Sequence, residues 1–326
     1  MIPNFNRRRF LPALLQSLAE QSQGDFESIV IDDGSTDDST DYVRAAWPGV
    51  KLHVNPRNLG FAATVNRRIR HSDTRFVALL NNDTYVDRDW FREAMRAFDA
   101  PDIGTVASLT LLADPPHRID TAGDVYSVAG GAVKRLAGCA REAAADAPAD
   151  IFSASGVAAF YRRAALNEVG LLDGRMQSYY EDVDLGFRLQ WGGWRCVLAP
   201  KSICYHHLSA TYGARSWTYH FNSSRNAEII WWSCMSPALR RRYLGVHLFC
   251  LSLQGARAVP LGRFPAWLAG KLQAMRMGRH IRARRRMIAR IARISEEQML
   301  ARLERDWFGL HVTPKLREMK DMIHGP

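Results

Sequence analysis

The sequence predicts an α/β protein: an open, mainly parallel sheet with helices on both faces, continued by a basic helical C-terminal region. Three observations carry this. Over the first hundred residues, short apolar runs ending in aspartate or asparagine alternate with segments whose apolar residues recur at helical spacing, the pattern of strands joined by crossover helices. Charge is split: residues 1–200 hold 22 Lys/Arg and 26 Asp/Glu while 201–326 hold 22 and 7, so the net charge of +11 arises in the last part of the chain. At 326 residues and 47% apolar, the chain suits a globular protein of about two domains and is neither disordered nor fibrous.

Each element follows in order. Residues 10–19 place Leu11, Leu14, Leu15 and Leu18 on one helical face, and 26–31 read as a buried strand running into Asp32-Asp33-Gly34-Ser35. A helix follows, capped by Thr36 or Asp37, with Tyr42, Val43 and Ala46 inward and Pro48-Gly49 ending it. Residues 50–54 are a short strand, 61–69 a helix reached through Asn58-Leu59-Gly60, and 75–80 an apolar strand running into Asn81-Asn82-Asp83. From 103 to 149 the pattern weakens into short strands broken by Pro115-Pro116 and Gly130-Gly131, read as a variable excursion. A strand pattern returns over 152–161 and a helix over 163–169; a helix opening at Tyr179-Tyr180-Glu181 turns Leu185, Leu189 and Trp191 to a core. After Tyr205 the chain becomes helical and basic, with a long stretch from Trp267 to about Trp307. No internal repeat is visible. The expected domains are 1–235, carrying the sheet, and 236–326, the basic helical region.

Several classes drop out. Five scattered cysteines without a CxxC pair indicate neither a disulfide framework nor a zinc site, and a reducing cytoplasm is expected. No leader pattern opens the chain. No run approaches the ~18 apolar residues of a spanning helix; the best candidate, 243–253, is short and contains His247.

The acids cluster where such sheets bind ligands, in loops at the carboxyl ends of strands. Asp32-Asp33-Gly34-Ser35-Thr36-Asp37 lies between a strand and a helix. A carboxylate there can accept from a pyrimidine N3–H or a ribose hydroxyl, and the helix amino end favours phosphate; the same residues also suit a helix cap and turn. Asn81-Asn82-Asp83 offers hard oxygen ligands for Mg²⁺ or Mn²⁺, which take one or two carboxylates plus phosphate oxygens, or else an Asx turn. Glu181-Asp182-Val183-Asp184 puts three acids at a helix amino end, where the dipole stabilises one or two. The adjoining Tyr179-Tyr180 suits a sugar face beside a general base.

Taken in order, Pro3-Asn4-Phe5-Asn6, Ile31-Asp32-Asp33-Gly34-Ser35-Thr36-Asp37, Asn58-Leu59-Gly60-Phe61, Leu80-Asn81-Asn82-Asp83-Thr84 and Glu181-Asp182-Val183-Asp184-Leu185-Gly186-Phe187-Arg188 resemble the family 2 glycosyltransferases. Within that family the chain is most similar to bacterial rhamnosyltransferase-like members that extend lipid-linked or cell-surface saccharides. The resemblance spans roughly residues 1–235. It implies a GT-A, Rossmann-like fold and a nucleoside diphosphate sugar donor. Pro3 and Asn6 would line the nucleotide, Asp33 with Asp32 behind it would meet the base, and Asn58 and Gly60 would close over the nucleoside, with Asn82 in the same site. Asp83 matches the metal-binding carboxylate, although Asn81 stands where a first Asp is common, leaving the site less charged. His206, or His207 beside it, matches a histidine that completes the metal or diphosphate site. Asp182 matches the catalytic base, with Glu181 holding acceptor hydroxyls or tuning Asp182. One base and in-line attack imply inversion at the anomeric carbon. Arg225 resembles a residue placed to reach a donor or acceptor phosphate. Trp231-Trp232 reads equally as core or interface.

Residues 271–293 carry nine Lys/Arg, interleaved with Leu272, Met275, Ile281, Ile288, Ile291 and Ile294 at near-helical spacing. Such a helix reads as a membrane-surface element, here over 267–306, or as a solvated helix packed by its apolar face. An anionic membrane partner would place the protein peripherally on the inner face of the cytoplasmic membrane, near a lipid-linked acceptor. Two rival classes remain. A sugar-nucleotide-forming nucleotidyltransferase should carry a Gly-rich phosphate loop after its first strand, and Pro3 to Arg9 lacks the glycines. A non-catalytic membrane or nucleic-acid-binding module would leave Asp32, Asp83 and Asp182 without a purpose, and no nucleic-acid motif is present. Family members usually carry an apolar strand before the Pro-x-x-Asn loop, so Met1-Ile2 is expected to leave that strand short.

Overall fold

The computed structural model describes residues 1–145, 150–208 and 216–313. Two compact units form, one from 1–124 with 134–208 and the other from 125–133 with 216–313. Ser209 and residues 314–326 lie outside the described residues, as does part of the alanine-rich 143–149 stretch.

The first unit runs β1 (Ile2–Asn4), α1 (Leu11–Ala19), β2 (Ile29–Asp32), α2 (Ser39–Ala46), β3 (Lys51–Val54), α3 (Phe61–Arg70), β4 (Phe76–Leu80), β5 (Thr84–Val86), α4 (Trp90–Arg96), β6 (Ile103–Leu112) and β7 (Ile119–Thr121). After the ribbon β8 (Asp124–Tyr126) and β9 (Ala132–Lys134) it continues with β10 (Asp150–Ile151), β11 (Ala158–Arg162), α5 (Arg163–Val169), α6 (Glu181–Trp191) and β12 (Arg195–His206). Strands β3, β2 and β1 pair in parallel, and a second sheet runs β10-β12-β6-β11-β4. Met1 joins the two: its amine donates to the Ala78 carbonyl at 2.9 Å and its carbonyl accepts from Leu80 N–H at 3.1 Å, the parallel pattern between β1 and β4. β11 is antiparallel to both β4 and β6, while β6 and β12 are parallel. The carboxyl ends of β1, β2, β4, β6 and β12 therefore share one side of the sheet, and the acidic loops follow them.

The core is built from the apolar faces that the periodicity marks. Leu11, Leu14, Leu15, Val30, Val43, Leu80, Val106 and Phe160 are buried together. Leu185, Leu189 and Trp191 of α6 are buried as expected, whereas Ala46 is exposed in the last turn of α2. The excursion read over 103–149 is overturned at its start, because β6 is a ten-residue strand in the middle of the sheet. Nine of those residues are buried; a strand covered on both faces shows no alternation to read. The strand expected over 152–161 is confined to β11, and 152–157 forms the loop in front of it.

The second unit is helical: α7 (Trp217–Cys234), α8 (Pro237–Ala258), α9 (Phe264–Arg276), α10 (Gly278–Ile291), α11 (Glu296–Arg302) and α12 (Trp307–His311). The long basic stretch is thus broken at Met277 and between Ile291 and Glu296. Ser216, Ser236 and Ser295 cap α7, α8 and α11 through their hydroxyls. Helices α7 and α9 pack so closely that a Cβ on Gly270 would lie 2.5 Å from the Phe221 carbonyl oxygen. Trp231 is core, stacked on His247 at 3.7 Å between ring centroids. Glu228 accepts from Lys271 Nζ at 2.9 Å and Trp232 Nε1 at 3.1 Å, and pairs with His247 Nε2 at 3.3 Å. Arg225 lies in this unit, buried on α7, its Nε donating to Asn226 Oδ1 at 3.0 Å. Among the described residues, no helix is long and apolar enough to cross a membrane.

Candidate active site

Four asparagines and aspartates tie the ends of β1, β2 and β4 together. Asn4 Nδ2 donates to Asp32 Oδ2 at 2.9 Å, and Asn82 Nδ2 donates to Asn4 Oδ1 at 2.9 Å. Asp32 Oδ1 accepts from Ser35 N–H at 2.8 Å, closing the turn after β2. Asn6, at φ 52°, accepts from Thr36 N–H at 2.7 Å and Asp37 N–H at 3.3 Å, so it holds the start of the β2–α2 loop from outside. Pro3 sits between these groups on β1, in register with Ile31.

Asp33 is the fastener of the neighbouring loop. Its Oδ1 accepts from Asn55 Nδ2 at 2.9 Å, Leu59 N–H at 2.9 Å and Thr64 Oγ1 at 2.6 Å, and its Oδ2 accepts from Gly60 N–H at 2.9 Å. Asn58 Oδ1 accepts from the same Gly60 N–H at 3.0 Å. Gly34 makes the close approach possible: at φ 77°, a Cβ there would lie 2.7 Å from the Arg57 backbone.

Asp83 follows β4, and His206 ends β12. His206 Nε2 is 3.3 Å from Asp83 Oδ1, while its Nδ1 is 3.0 Å from Asp120 Oδ2 on β7. Lys134 Nζ donates to Asp120 Oδ1 at 2.6 Å. Burial opposes the imidazolium, but the carboxylates of Asp120 and Asp83 outweigh it and raise the His206 pKa to about 9. His207 turns away, its ring packed on Phe10 and Tyr85. Among the described residues no three acidic, histidine or cysteine side chains form a ready metal cage. Asp83 and His206 nevertheless fit a cation that takes two protein donors and completes its shell with phosphate oxygens and water.

Glu181 and Asp182 open α6. Tyr179 and Tyr180 both stand at φ 70°, an uncommon conformation for a bulky residue, and turn the chain into the helix. Asp182 Oδ2 accepts from Gly156 N–H at 2.8 Å and its Oδ1 from Val183 N–H at 2.8 Å. Burial raises its pKa. Glu181 is only 9% exposed, its Oε2 has no hydrogen-bond partner, and burial followed by the Asp182 charge pushes its pKa up to about 8. Asp184, the third acid, is spent on structure in a buried pair with Arg188 at 2.9 Å. Asp124, on β8, accepts from Ser153 Oγ at 3.2 Å; burial and then Asp182 raise its pKa too.

The first unit therefore brings together Pro3, Asn6, Asp32, Asp33, Asn58, Gly60, Asn82, Asp83 and His206 around the carboxyl edge of the sheet, with Glu181 and Asp182 on α6. Asn4, Asp120, Asp124 and Lys134 were not singled out from sequence. Asn4 stood inside a quoted motif; the other three lie in the segment read as variable, without local periodicity to draw attention to them.

A family model for glycosyl transferase family 2 matches residues 1–170. An N-acetylglucosaminyl-diphospho-decaprenol L-rhamnosyltransferase of Mycobacterium tuberculosis is 26% identical over 261 residues, covering 68% of this chain and 82% of that protein. The uncharacterized protein y4gI of Sinorhizobium fredii is 26% identical over 230 residues; the match covers 65% of this chain but spans only 24% of that longer protein. Among solved structures, the mannosyltransferase PcManGT of Pyrobaculum calidifontis, in complex with GDP-Man and Mn²⁺, superposes with a TM-score of 0.52 at 17% identity over 89% of this chain and 83% of its own.

Proposed function

The chain belongs to glycosyl transferase family 2 and is a glycosyltransferase of the GT-A fold, and from that premise we propose that it transfers rhamnose, with inversion, from a nucleoside diphosphate sugar to a hydroxyl of a lipid-linked or cell-surface saccharide. The observation that carries this reading is the pairing of the asparagine–aspartate cluster at the carboxyl ends of β1, β2 and β4 with a buried Glu181 and a half-buried Asp182 at the start of α6. The activity of the Mycobacterium tuberculosis relative supports the choice of sugar and of a lipid-linked acceptor.

In this reading the reaction belongs to residues 1–235. Pro3, Asn6, Asp32 and Asp33 form the nucleoside side of the crevice, closed by the loop bearing Asn58 and Gly60, with Asn82 fixing the floor through Asn4. Asp83 and His206 would hold Mg²⁺ or Mn²⁺, which supplies positive charge beside a leaving diphosphate. Asp182 accepts the proton of the acceptor hydroxyl as that oxygen attacks the anomeric carbon and the bond to the β-phosphate oxygen breaks. Burial brings Asp182 closer to neutrality as a base. The Gly156 and Val183 amides fix its two oxygens in place. Glu181, held protonated, donates a hydrogen bond to the acceptor sugar.

Residues 236–326 are assigned to an anionic membrane surface on the cytoplasmic side. No aspartate or glutamate occurs between Glu228 and Glu296, a span holding fourteen Lys/Arg. Apolar side chains available to lipid include those on α8 and α9, namely Leu244, Leu248, Phe249, Leu268, Leu272 at 46% and Met275 at 77% exposure. Within 267–306 this moves the contact from α10 to α9, because Ile281 and Ile288 of α10 are 8% and 7% exposed. The deciding experiment for the reaction is a screen of nucleoside diphosphate sugars for transfer, with Asp182→Asn in parallel. The variant should bind nucleotide as the wild type does and lose about 10²–10⁴-fold in turnover; retained turnover refutes the assignment of the base.

A further inference from the structure

We propose that Asp120 is a positioning residue of the cation site, which aims His206 at Asp83 and is itself held in place by Lys134. The inference rests on the reading that Asp83 and His206 hold a divalent cation. It starts from a chain of contacts that crosses from β9 to the end of β4: Lys134 Nζ to Asp120 Oδ1 at 2.6 Å, Asp120 Oδ2 to His206 Nδ1 at 3.0 Å, and His206 Nε2 to Asp83 Oδ1 at 3.3 Å.

An imidazole offers two nitrogens, and only the one without a proton can give its lone pair to a metal ion. Which nitrogen that is depends on the partner of the other. With Asp120 accepting from Nδ1–H, the nitrogen left to a cation is Nε2, the atom already turned to Asp83, which gives its lone pair once the arriving cation has displaced its proton. The carboxylate also stops the ring from rotating about its bond to Cβ, since that would break the bond to Asp120. A carboxylate behind a ligating histidine is a recurrent way of orienting the ring and raising its basicity.

Lys134 completes the device. Asp120 is only 5% exposed, and a carboxylate so buried needs a second partner to be held ionised. The lysine takes Oδ1 and leaves Oδ2 to the histidine. Asp120 sits on β7, which pairs with the central strand β6, and β6 pairs with β12, the strand carrying His206. The orientation is therefore set by sheet register and not by a mobile loop.

The test is titration with Mn²⁺ alone, followed by the electron paramagnetic resonance of the free ion, on the full chain and on Asp120→Ala, Asp120→Asn, Lys134→Ala and His206→Ala. Circular dichroism and melting temperature check that each variant folds. Asp120→Ala should weaken Mn²⁺ binding about 10–100-fold. Asp120→Asn, whose amide oxygen still accepts from Nδ1–H, should recover part of the loss, and Lys134→Ala, which keeps the His206 contact, should show a smaller one. Adding Asp120→Ala to His206→Ala should cost nothing further. Folded Asp120→Ala binding as the wild type does, with His206→Ala weakened, overturns the inference while leaving the cation site intact. Wild type that does not take up Mn²⁺ even when a nucleoside diphosphate is added to supply the phosphate oxygens overturns the cation reading itself, and is told apart because no variant is needed to see it.

Discussion

Glu181→Gln should make the protein more stable at neutral pH while making it a worse enzyme. The carboxyl group is buried, one oxygen is unpartnered, and its folded pKa of about 8 stands against an ordinary value of 4.5. A carboxyl whose folded pKa is raised contributes its full stability below the unfolded pKa and loses it as pH rises through the folded value. Between pH 4.5 and 8 the unfolded chain therefore releases a proton that the folded chain keeps. At pH 7 that gap is about 2.5 pH units, which corresponds to roughly 3 kcal/mol. Glutamine has the same shape and no proton to lose. Urea denaturation of ligand-free wild type and variant at pH 4.5, 6, 7 and 8, read by circular dichroism, should give curves that nearly coincide at the lowest pH and separate by about 3 kcal/mol at pH 7, the variant being the more stable. A gap that does not grow with pH, or a variant less stable at pH 7, would refute the reasoning. Such a trade of stability for function is expected where a buried acid is kept for the acceptor.

Two further outcomes concern the helical unit. Burial opposes the charge of Glu228, but His247 and Lys271 more than offset it and hold the folded pKa at about 2. Its stabilisation is therefore complete above about pH 4.5 and lost as pH falls toward 2, by roughly 3 kcal/mol; Glu228→Gln should flatten this acid limb in a pH series of chemical denaturation, and an unchanged limb would contradict the pairing. Lys271 is itself pushed down, because burial outweighs the attraction of Glu228. Flotation with vesicles containing anionic phosphatidylglycerol should carry the protein at low salt and release it at high salt. Leu272→Glu with Met275→Glu should abolish flotation, and undiminished binding would remove α9 from the proposed surface.

The motifs at the ends of short strands were legible because each places its chemistry within a few residues. Asp32-Asp33-Gly34, Asn81-Asn82-Asp83 and Glu181-Asp182 each follow a strand or precede a helix, and the structure puts them at such points. The helix α1, with its single apolar face, was legible for the same local reason. The strand β6 was not, since it is buried on both faces and shows no period of two. Nor was the break of the basic stretch into α9 and α10, whose apolar residues keep a similar spacing on either side of Met277-Gly278 while facing different surroundings.

By itself, then, the sequence determined the alternation of strands and helices, the family, the acidic motifs and the division of charge between the two parts of the chain. Those properties depend on residues near one another along the chain. Only the tertiary structure decided which of two adjacent histidines faces Asp83, that Asp33 spends both oxygens on the loop at Asn58–Gly60, and that Asp184 is consumed by Arg188 while Glu181 keeps an oxygen unpaired. It alone brought Asp120 and Lys134 to His206, Asp120 from a position 86 residues away in the chain and Lys134 from one somewhat nearer. The physical reason is that hydrogen-bond partners and burial are set by sheet register and packing between distant segments, and both a pKa and a ring orientation follow from those partners.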